Sequence, residues 1–113
     1  MNRDRAVTSL AALAQTTRLE AFRLLVQAGP AGLAAGELSE RLGISPPALS
    51  FHLRGLAQAG LVRSRQQGRF VYYTAAFDAM QSLLDFLTEN CCGGATCAPA
   101  RTPARKSPAR RIA

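Results

Sequence analysis

Apolar residues recur at helical spacing along most of the chain and alternate with polar residues only in one stretch past its middle. Residues 5–14 predict a short, apolar first helix. A second helix is predicted to begin at Thr16 or Thr17, because Glu20 follows Thr17 at the spacing of a capping box. Its predicted buried face carries Leu19, Phe22, Leu25 and Val26. The Gly29-Pro30 pair and Gly32 end it.

Two further helices follow with a tight turn between them. The third is predicted over Glu37–Leu42 and is broken by Gly43. Ser45 is a typical N-cap, and the helix that it starts, Pro46–Gln58, has proline at its first position, where a missing N–H costs nothing. Its predicted inward stripe is formed by Leu49, Leu53 and Leu56, at i, i+4 and i+7.

The remaining elements are a hairpin and a last helix. Leu61–Gln66 and Phe70–Thr74 predict two strands joined around Gln67-Gly68, and a helix is predicted from about Ala76 to Asn90. The order ααααββα predicts a mainly α winged helix-turn-helix with a small β-hairpin. We expect one domain over residues 1–97, followed by an Ala/Pro/Arg-rich tail over residues 98–113 that cannot bury a core.

The outward face of the fourth helix is small, aromatic and basic, and it carries no acid. Such a face suits base edges and phosphates, and the arginines of the hairpin can reach phosphate or the minor groove. His52 lies nearer the inward stripe, which favours a packed, hydrogen-bonded histidine. The predicted DNA contacts are Ser45, Pro47, Ser50, Phe51, Arg54 and Arg69.

The net charge of the chain is weaker evidence for DNA binding than its total suggests, because most of it lies in the tail. The net charge is +7, but Arg101, Arg105, Lys106, Arg110 and Arg111 place +5 of it in the tail, where it adds non-specific affinity for DNA. No apolar leader or run of about 18 apolar residues is present, so we expect a cytoplasmic protein without a membrane partner. The sequence contains no phosphate-binding glycine loop, no Ser-His-Asp set and no acid pair in an evident cleft. These absences argue against an enzyme.

Three cysteines cluster where the last helix ends. Cys91 and Cys92 are adjacent, and Cys97 follows after two glycines that permit the chain to reverse. Three soft sulfurs without a fourth ligand fit As(III), or Sb(III), better than tetrahedral zinc. Two alternatives stay open: a pair of these thiols that forms a disulfide on oxidation, or incidental cysteines.

The first and last helices are very apolar for so small a domain. Such faces are typically buried against a second copy, and a two-fold dimer matches the two half-sites that helix-turn-helix proteins bind. We therefore expect a homodimer.

Several motifs resemble those of the ArsR/SmtB family of bacterial metalloregulators over about residues 5–97. They are Thr17-Arg18-Leu19, Glu37-Leu38, Leu42-Gly43-Ile44-Ser45, Leu49-Ser50-Phe51-His52-Leu53, Ala59-Gly60-Leu61-Val62 and Gly68-Arg69-Phe70-Val71-Tyr72-Tyr73. The resemblance implies a homodimeric winged-helix repressor that leaves its operator when an inducer binds.

The chain departs from the founding members of that family in its candidate sites. Their Cys-x-Cys pair at the third helix is replaced by Gly32-Leu-Ala-Ala-Gly-Glu-Leu38, and the last helix lacks the histidines of zinc sensors. The adjacent Cys91 and Cys92 with Cys97 resemble a subgroup whose arsenic site lies at the end of the last helix. The resemblance thus implies a repressor that binds operator double-stranded DNA, with As(III) or Sb(III) as inducer and no organic cofactor. A thiol-redox repressor and a constitutive DNA-binding protein are the alternatives.

Overall fold

The computed structural model describes residues 1–94, which form five α-helices around a three-stranded antiparallel sheet. The elements are α1 (Arg3–Leu13), α2 (Thr16–Ala28), β1 (Leu33–Ala34), α3 (Ala35–Leu42), α4 (Pro46–Gln58), β2 (Val62–Gln67), β3 (Phe70–Ala75) and α5 (Phe77–Thr88), with 3₁₀ turns at Gly29–Ala31 and Cys91–Gly94. The predicted winged helix-turn-helix is therefore confirmed. Cys97 and the predicted tail over residues 98–113 lie outside the described residues.

The start of α2 differs from the prediction. Its N-cap is Gln15, whose backbone is extended and whose side-chain oxygen accepts from the backbone N–H of Arg18 at 2.9 Å. Thr16 and Thr17 already lie in the first turn, where neither has the extended backbone that a cap requires. The predicted capping box of Thr17 and Glu20 is thus wrong, because the helix begins earlier, with Gln15 as its cap and the Arg18 N–H as the donor.

The turn between α3 and α4 is held by short-range hydrogen bonds. Gly43 takes a left-handed conformation, with φ of 67°, which a residue with a Cβ adopts only at a cost. The Ser39 hydroxyl donates to the Ile44 carbonyl, and the Ile44 N–H donates to the Ser39 carbonyl at 3.2 Å. These bonds fix the angle at which α4 leaves α3.

The sheet contains a strand that the sequence pattern did not predict. Leu33 and Ala34 pair with Tyr73 and Tyr72, which places β3 between β1 and β2. A strand of two residues is too short to show an alternating pattern, so only its pairing reveals it. The β-hairpin closes with Gln67 opposite Phe70, and its two-residue loop is therefore Gly68-Arg69 and not Gln67-Gly68.

The core lies between α2, α3, α4 and the base of the hairpin. The largest of its fully buried side chains are leucines: Leu25, Leu38, Leu53, Leu56 and Leu61. Helix α5 packs on this core through Phe77 and Met80. It ends at Thr88, two residues before the predicted Asn90, because Glu89 is extended and Asn90 has a φ of 57°. Leu84 and Leu87 on the same helix remain 48% and 54% exposed.

Candidate nucleic-acid interface and thiol site

Helix α4 is built as the sequence predicts. The Ser45 hydroxyl accepts from the Ala48 N–H at 3.3 Å, and Pro46 is the first helical residue. Leu49, Leu53 and Leu56 are buried, so they fix which face of the helix points away from the protein. That face presents Ser45, Pro47, Ser50, Phe51 and Arg54, all of them exposed.

The exposed face of α4 can both donate hydrogen bonds and make apolar contacts. Ser50 supplies a hydroxyl, Arg54 a guanidinium, and Phe51 a ring that is 60% exposed. Among residues 1–94, the Arg54 guanidinium has no acidic partner within ion-pair distance. The exposed face of α4 therefore offers a guanidinium and a hydroxyl, which can donate hydrogen bonds to DNA phosphates and base edges.

His52 differs from the prediction. It is half-buried, and its ring meets the Phe51 ring edge-on, with centroids 5.3 Å apart and planes at 71°. Its Nδ1 is buried and has no hydrogen-bond partner among the described residues. The expected packing is present, whereas the expected hydrogen bond at this nitrogen is not. His52 therefore supports Phe51 through ring contact and not through a polar network.

The three arginines of the hairpin have different surroundings. One Arg63 nitrogen lies 2.9 Å from both carboxylate oxygens of Asp78 at the start of α5. Arg65 stacks over the Tyr72 ring, 5.0 Å from its centroid, and donates to the Ala31 carbonyl at 3.3 Å. Arg69 lies exposed at the hairpin tip. The sequence predicted that all three arginines could reach DNA. In the structure, Arg63 and Arg65 contact other residues of the protein, and of the three only Arg69 makes no such contact within residues 1–94.

The Arg63–Asp78 pair also changes the titration of its carboxyl group. The hydrogen bond from Arg63 is the main cause that lowers the pKa of Asp78 below its ordinary value, and the Ala79 backbone N–H adds to it. The same pairing raises the pKa of Arg63. The lowered pKa extends the ionised range of Asp78 to more acidic pH, so that the pairing of β2 with the first turn of α5 persists there.

A residue that the pattern did not single out for function supports α4 from behind. The Arg18 Nε donates to the Ala12 carbonyl at 2.7 Å, which ties α2 to the end of α1. The same side chain lies against Gly55 of α4: a Cβ built there would be 3.5 Å from the Arg18 Cδ. Arg18 thus orients three helices. The Thr17-Arg18-Leu19 motif was the only sequence signal for it.

The thiol site begins where α5 ends. Cys91 and Cys92 are exposed in the turn Cys91–Gly94, and their sulfurs are 3.7 Å apart. On a helix, adjacent side chains diverge by about 100°, so this approach depends on the irregular backbone. The glycines turn as expected, with φ of 66° and 92° at Gly93 and Gly94, but Cys92 itself also has a left-handed φ of 57°.

The sulfur separation can be compared with that of two thiolates on one ion. Thiolates about 2.3 Å from a shared ion, with an angle of about 90–109° between them, lie about 3.3–3.8 Å apart. The pair Cys91 and Cys92 falls within this interval. Within residues 1–94, no three His, Cys, Asp or Glu side chains are grouped to hold a metal ion. Cys92 is disulfide-bonded in this structure, and Cys97 lies outside the described residues, so the predicted set of three thiolates stays a prediction.

An apolar surface connects α1, α2 and α5. A groove of about 350 Å³ is lined by apolar side chains that include Leu19, Phe22, Met80 and Leu84. Val7 and Leu10 of α1, like Leu84 and Leu87 of α5, are exposed although apolar. Burying such side chains is favourable by roughly 25 cal/mol per Å² of apolar surface, so this surface is suited to contact with another molecule. None of the helices in residues 1–94 combines the length and hydropathy needed to cross a bilayer.

Comparison with known proteins agrees with this geometry. A family model described as a helix-turn-helix domain matches residues 13–65. The transcriptional activator HlyU of Vibrio cholerae serotype O1 is 36% identical over 86 residues, which are 76% of this chain and 77% of HlyU.

Two solved structures extend the likeness to the whole fold. An ArsR-like transcriptional regulator from Rhodococcus sp. RHA1 superposes with a TM-score of 0.65 at 32% identity, covering 74% of this chain and 76% of the other. The homodimeric winged helix-turn-helix DNA-binding domain of a possible ArsR-family regulator from Mycobacterium bovis gives 0.63 at 26% identity, covering 84% and 88%. The chain belongs to the ArsR family of winged helix-turn-helix transcriptional regulators.

Proposed function

We propose that this protein is a homodimeric repressor that binds operator DNA through α4 and the hairpin and is released by arsenite. The observation that supports the DNA-binding half most directly is the exposed face of α4, which carries Ser50, Phe51 and Arg54 and no acidic residue. The observation that supports the sensor half is the 3.7 Å approach of the Cys91 and Cys92 sulfurs at the end of α5.

In the proposed complex, each subunit places Pro46–Gln58 in a major groove. Ser50 and Arg54 contact base edges or phosphates, Phe51 contacts an apolar base edge such as a thymine methyl, and Arg69 contacts the backbone beside the groove. Ser45 and Pro47 lie exposed at the N-terminal end of α4, where their side chains can contact the DNA backbone at the edge of the groove. Two such subunits would bind the half-sites of an imperfect palindrome.

The dimer is proposed from the apolar surface of α1 and α5. Leu84 and Leu87 leave about half of their surface in water in a single subunit, and the groove beside them is open. The homodimeric domain from Mycobacterium bovis has the same fold, which supports a two-fold assembly here. If α5 lies at the interface, a change at its C-terminal end can alter the spacing of the two recognition helices.

The thiolates of Cys91, Cys92 and Cys97 would coordinate one As(III) ion, and Sb(III) is the alternative inducer. The protein's part is to bring these three sulfurs together once they are reduced, and two of them lie 3.7 Å apart. Drawing Cys97 toward the pair would constrain the segment that follows α5. A hundredfold loss of operator affinity requires about 2.7 kcal/mol of preference for the off-DNA conformation.

The DNA-binding half is tested with the DNA upstream of the gene and fluorescence anisotropy. We expect Arg54→Ala to weaken binding to that duplex by roughly 10-fold, as expected for loss of one charged contact. Arg3→Ala is the matched control, because it removes the same charge from an exposed position at the N-terminal end of α1, outside the assigned interface. Equal losses in the two variants would contradict the assigned interface and would leave only a general charge effect.

The sensor half is tested by equilibrium dialysis of reduced protein against arsenite. We expect one As(III) per subunit in the wild type and a large loss of affinity in Cys91→Ser, Cys92→Ser and Cys97→Ser. Glu89→Gln, a neighbouring exposed side chain without sulfur, is the control. Unchanged binding in Cys97→Ser would refute the three-thiolate site.

A thiol-redox repressor is the second candidate, and the same sulfur pair supports it. Hydrogen peroxide would take two electrons from two thiols, forming one disulfide and two molecules of water. Loss of DNA binding on peroxide treatment, reversal by a reductant and indifference to arsenite would favour this candidate over the first.

A further inference from the structure

The outer face of the β2–β3 hairpin carries a row of neighbouring side chains, Arg65, Tyr72 and Phe70, that leads to its tip. In the strand register, Arg65 lies opposite Tyr72, and Gln67 lies opposite Phe70, so these residues share one face. Arg65 stacks on the Tyr72 ring at 5.0 Å, and the Tyr72 and Phe70 ring centroids are 6.5 Å apart. The row is anchored at its base, because Arg65 also donates to the Ala31 carbonyl.

The side chain at the end of this row is exposed although it is aromatic. Phe70 has 60% of its surface in water, the same exposure as Phe51 on the recognition helix. The two-residue loop Gly68-Arg69 precedes it, so Phe70 and the exposed Arg69 are consecutive residues at the hairpin tip. The Tyr72 ring, tilted by 59° to the Phe70 ring, bounds the space on one side of it, which lowers the entropy cost of a contact made by Phe70.

We propose that Phe70 is a DNA-contacting residue, an apolar wedge that enters the minor groove beside the site read by α4. This inference rests on the proposed DNA-binding function and adds a contact to it. Phenylalanine at a minor-groove surface packs on the sugars and base edges and can insert at a flexible base step, while a neighbouring arginine holds the phosphate. Arg69 and Phe70 divide these two tasks at the hairpin tip.

The division predicts different salt dependences for two variants. Each phosphate contact contributes about −0.9 to the slope of log affinity against log salt concentration, whereas an apolar contact contributes nothing to it. We expect Phe70→Ala to weaken binding to the upstream duplex about 10-fold at every salt concentration, with the slope unchanged. We expect Arg69→Ala to reduce the slope by about 0.9. Phe70→Leu, which keeps an apolar side chain, should lose less affinity than Phe70→Ala.

A second readout locates the contact. Netropsin, a small molecule that occupies the minor groove of A·T-rich DNA, should compete with the wild type and compete less with Phe70→Ala. Phe51→Ala, which removes an equally exposed ring from α4, should retain the wild-type netropsin competition. Thermal unfolding of all variants checks that the hairpin is intact.

The outcomes separate this inference from the proposed function. If the wild type binds duplex DNA but Phe70→Ala binds within twofold of it, the wedge is refuted and the repressor proposal stands. A reduced salt slope in Phe70→Ala would also refute it, because the ring would then act by positioning a charge. If the wild type binds no duplex DNA, both proposals fail.

Discussion

Gly32→Ala should destabilise the fold through a clash that can be located to one carbonyl group. Gly32 has φ of 72° and ψ of −167°, a conformation that is essentially restricted to glycine. A Cβ built on it would be 2.2 Å from the Tyr73 carbonyl oxygen and 2.7 Å from the Thr74 Cγ2. Both atoms belong to β3, so relief of the overlap requires β1 and β3 to move apart.

The magnitude follows from two separate costs. The unfavourable backbone conformation costs about 1–3 kcal/mol. The overlap with β3 adds about 1–3 kcal/mol, as for other over-packed sites. Gly29 supplies the control, because its φ of 77° and ψ of −163° are nearly the same and a Cβ there would meet no atom within 4 Å. Gly29→Ala should therefore carry the first cost alone.

Thermal and urea unfolding of the two variants measure the difference. For a domain of this size, 1 kcal/mol corresponds to about 4–8 °C in Tm. We expect Gly32→Ala to melt at least about 5 °C below Gly29→Ala, and both to melt below the wild type. Equal melting temperatures for the two variants would refute the close approach of Gly32 to β3.

Three further predictions concern the helices and their contacts. Gly55→Ala should raise the free energy of unfolding in urea by about 0.5–1 kcal/mol, because alanine favours the helix more than glycine does. The added Cβ would make an ordinary 3.5 Å contact with Arg18, and a loss of stability would contradict that packing. Because the pKa of Asp78 is lowered in the fold, its ionised form stabilises the protein at pH values above 3.8, and this contribution is lost as the pH falls through the lowered pKa. The Tm values of the wild type and Asp78→Asn should therefore differ at pH 7 and converge near pH 2. A difference that is independent of pH would refute the Arg63 pairing as its cause. Leu84→Glu should convert a dimer to a monomer in sedimentation velocity, whereas Gln81→Glu on the same helix should not; an unchanged mass for Leu84→Glu would place the interface elsewhere.

Local sequence signals predicted the recognition helix well. The bounds of α4 agree at both ends, because a serine cap and a proline at the first helical position are short-range and specific. The buried Leu49, Leu53 and Leu56 stripe also agrees, since it depends only on helical spacing. Short-range signals failed at α2, where Gln15 caps in place of either threonine.

Features that depend on distant parts of the chain were not predictable from the pattern. The strand β1 exists only through its pairing with Tyr72 and Tyr73, some 40 residues later in the chain. The arginines of the hairpin could not be ranked until the positions of Asp78 and Tyr72 were known. The exposure of Phe70 likewise required the register of the hairpin. Cys97 lies outside the described residues, so its part in the thiol site stays a prediction.

The central claim is that thiolate binding of As(III) and operator binding oppose each other in one protein. The most direct measurement is fluorescence anisotropy of the labelled upstream duplex, saturated with reduced protein and titrated with arsenite and, separately, with zinc. The account predicts release by micromolar arsenite, no release by zinc, and no release by arsenite in Cys92→Ser. Tight binding that ignores arsenite, or equal release of the wild type and Cys92→Ser, would contradict it.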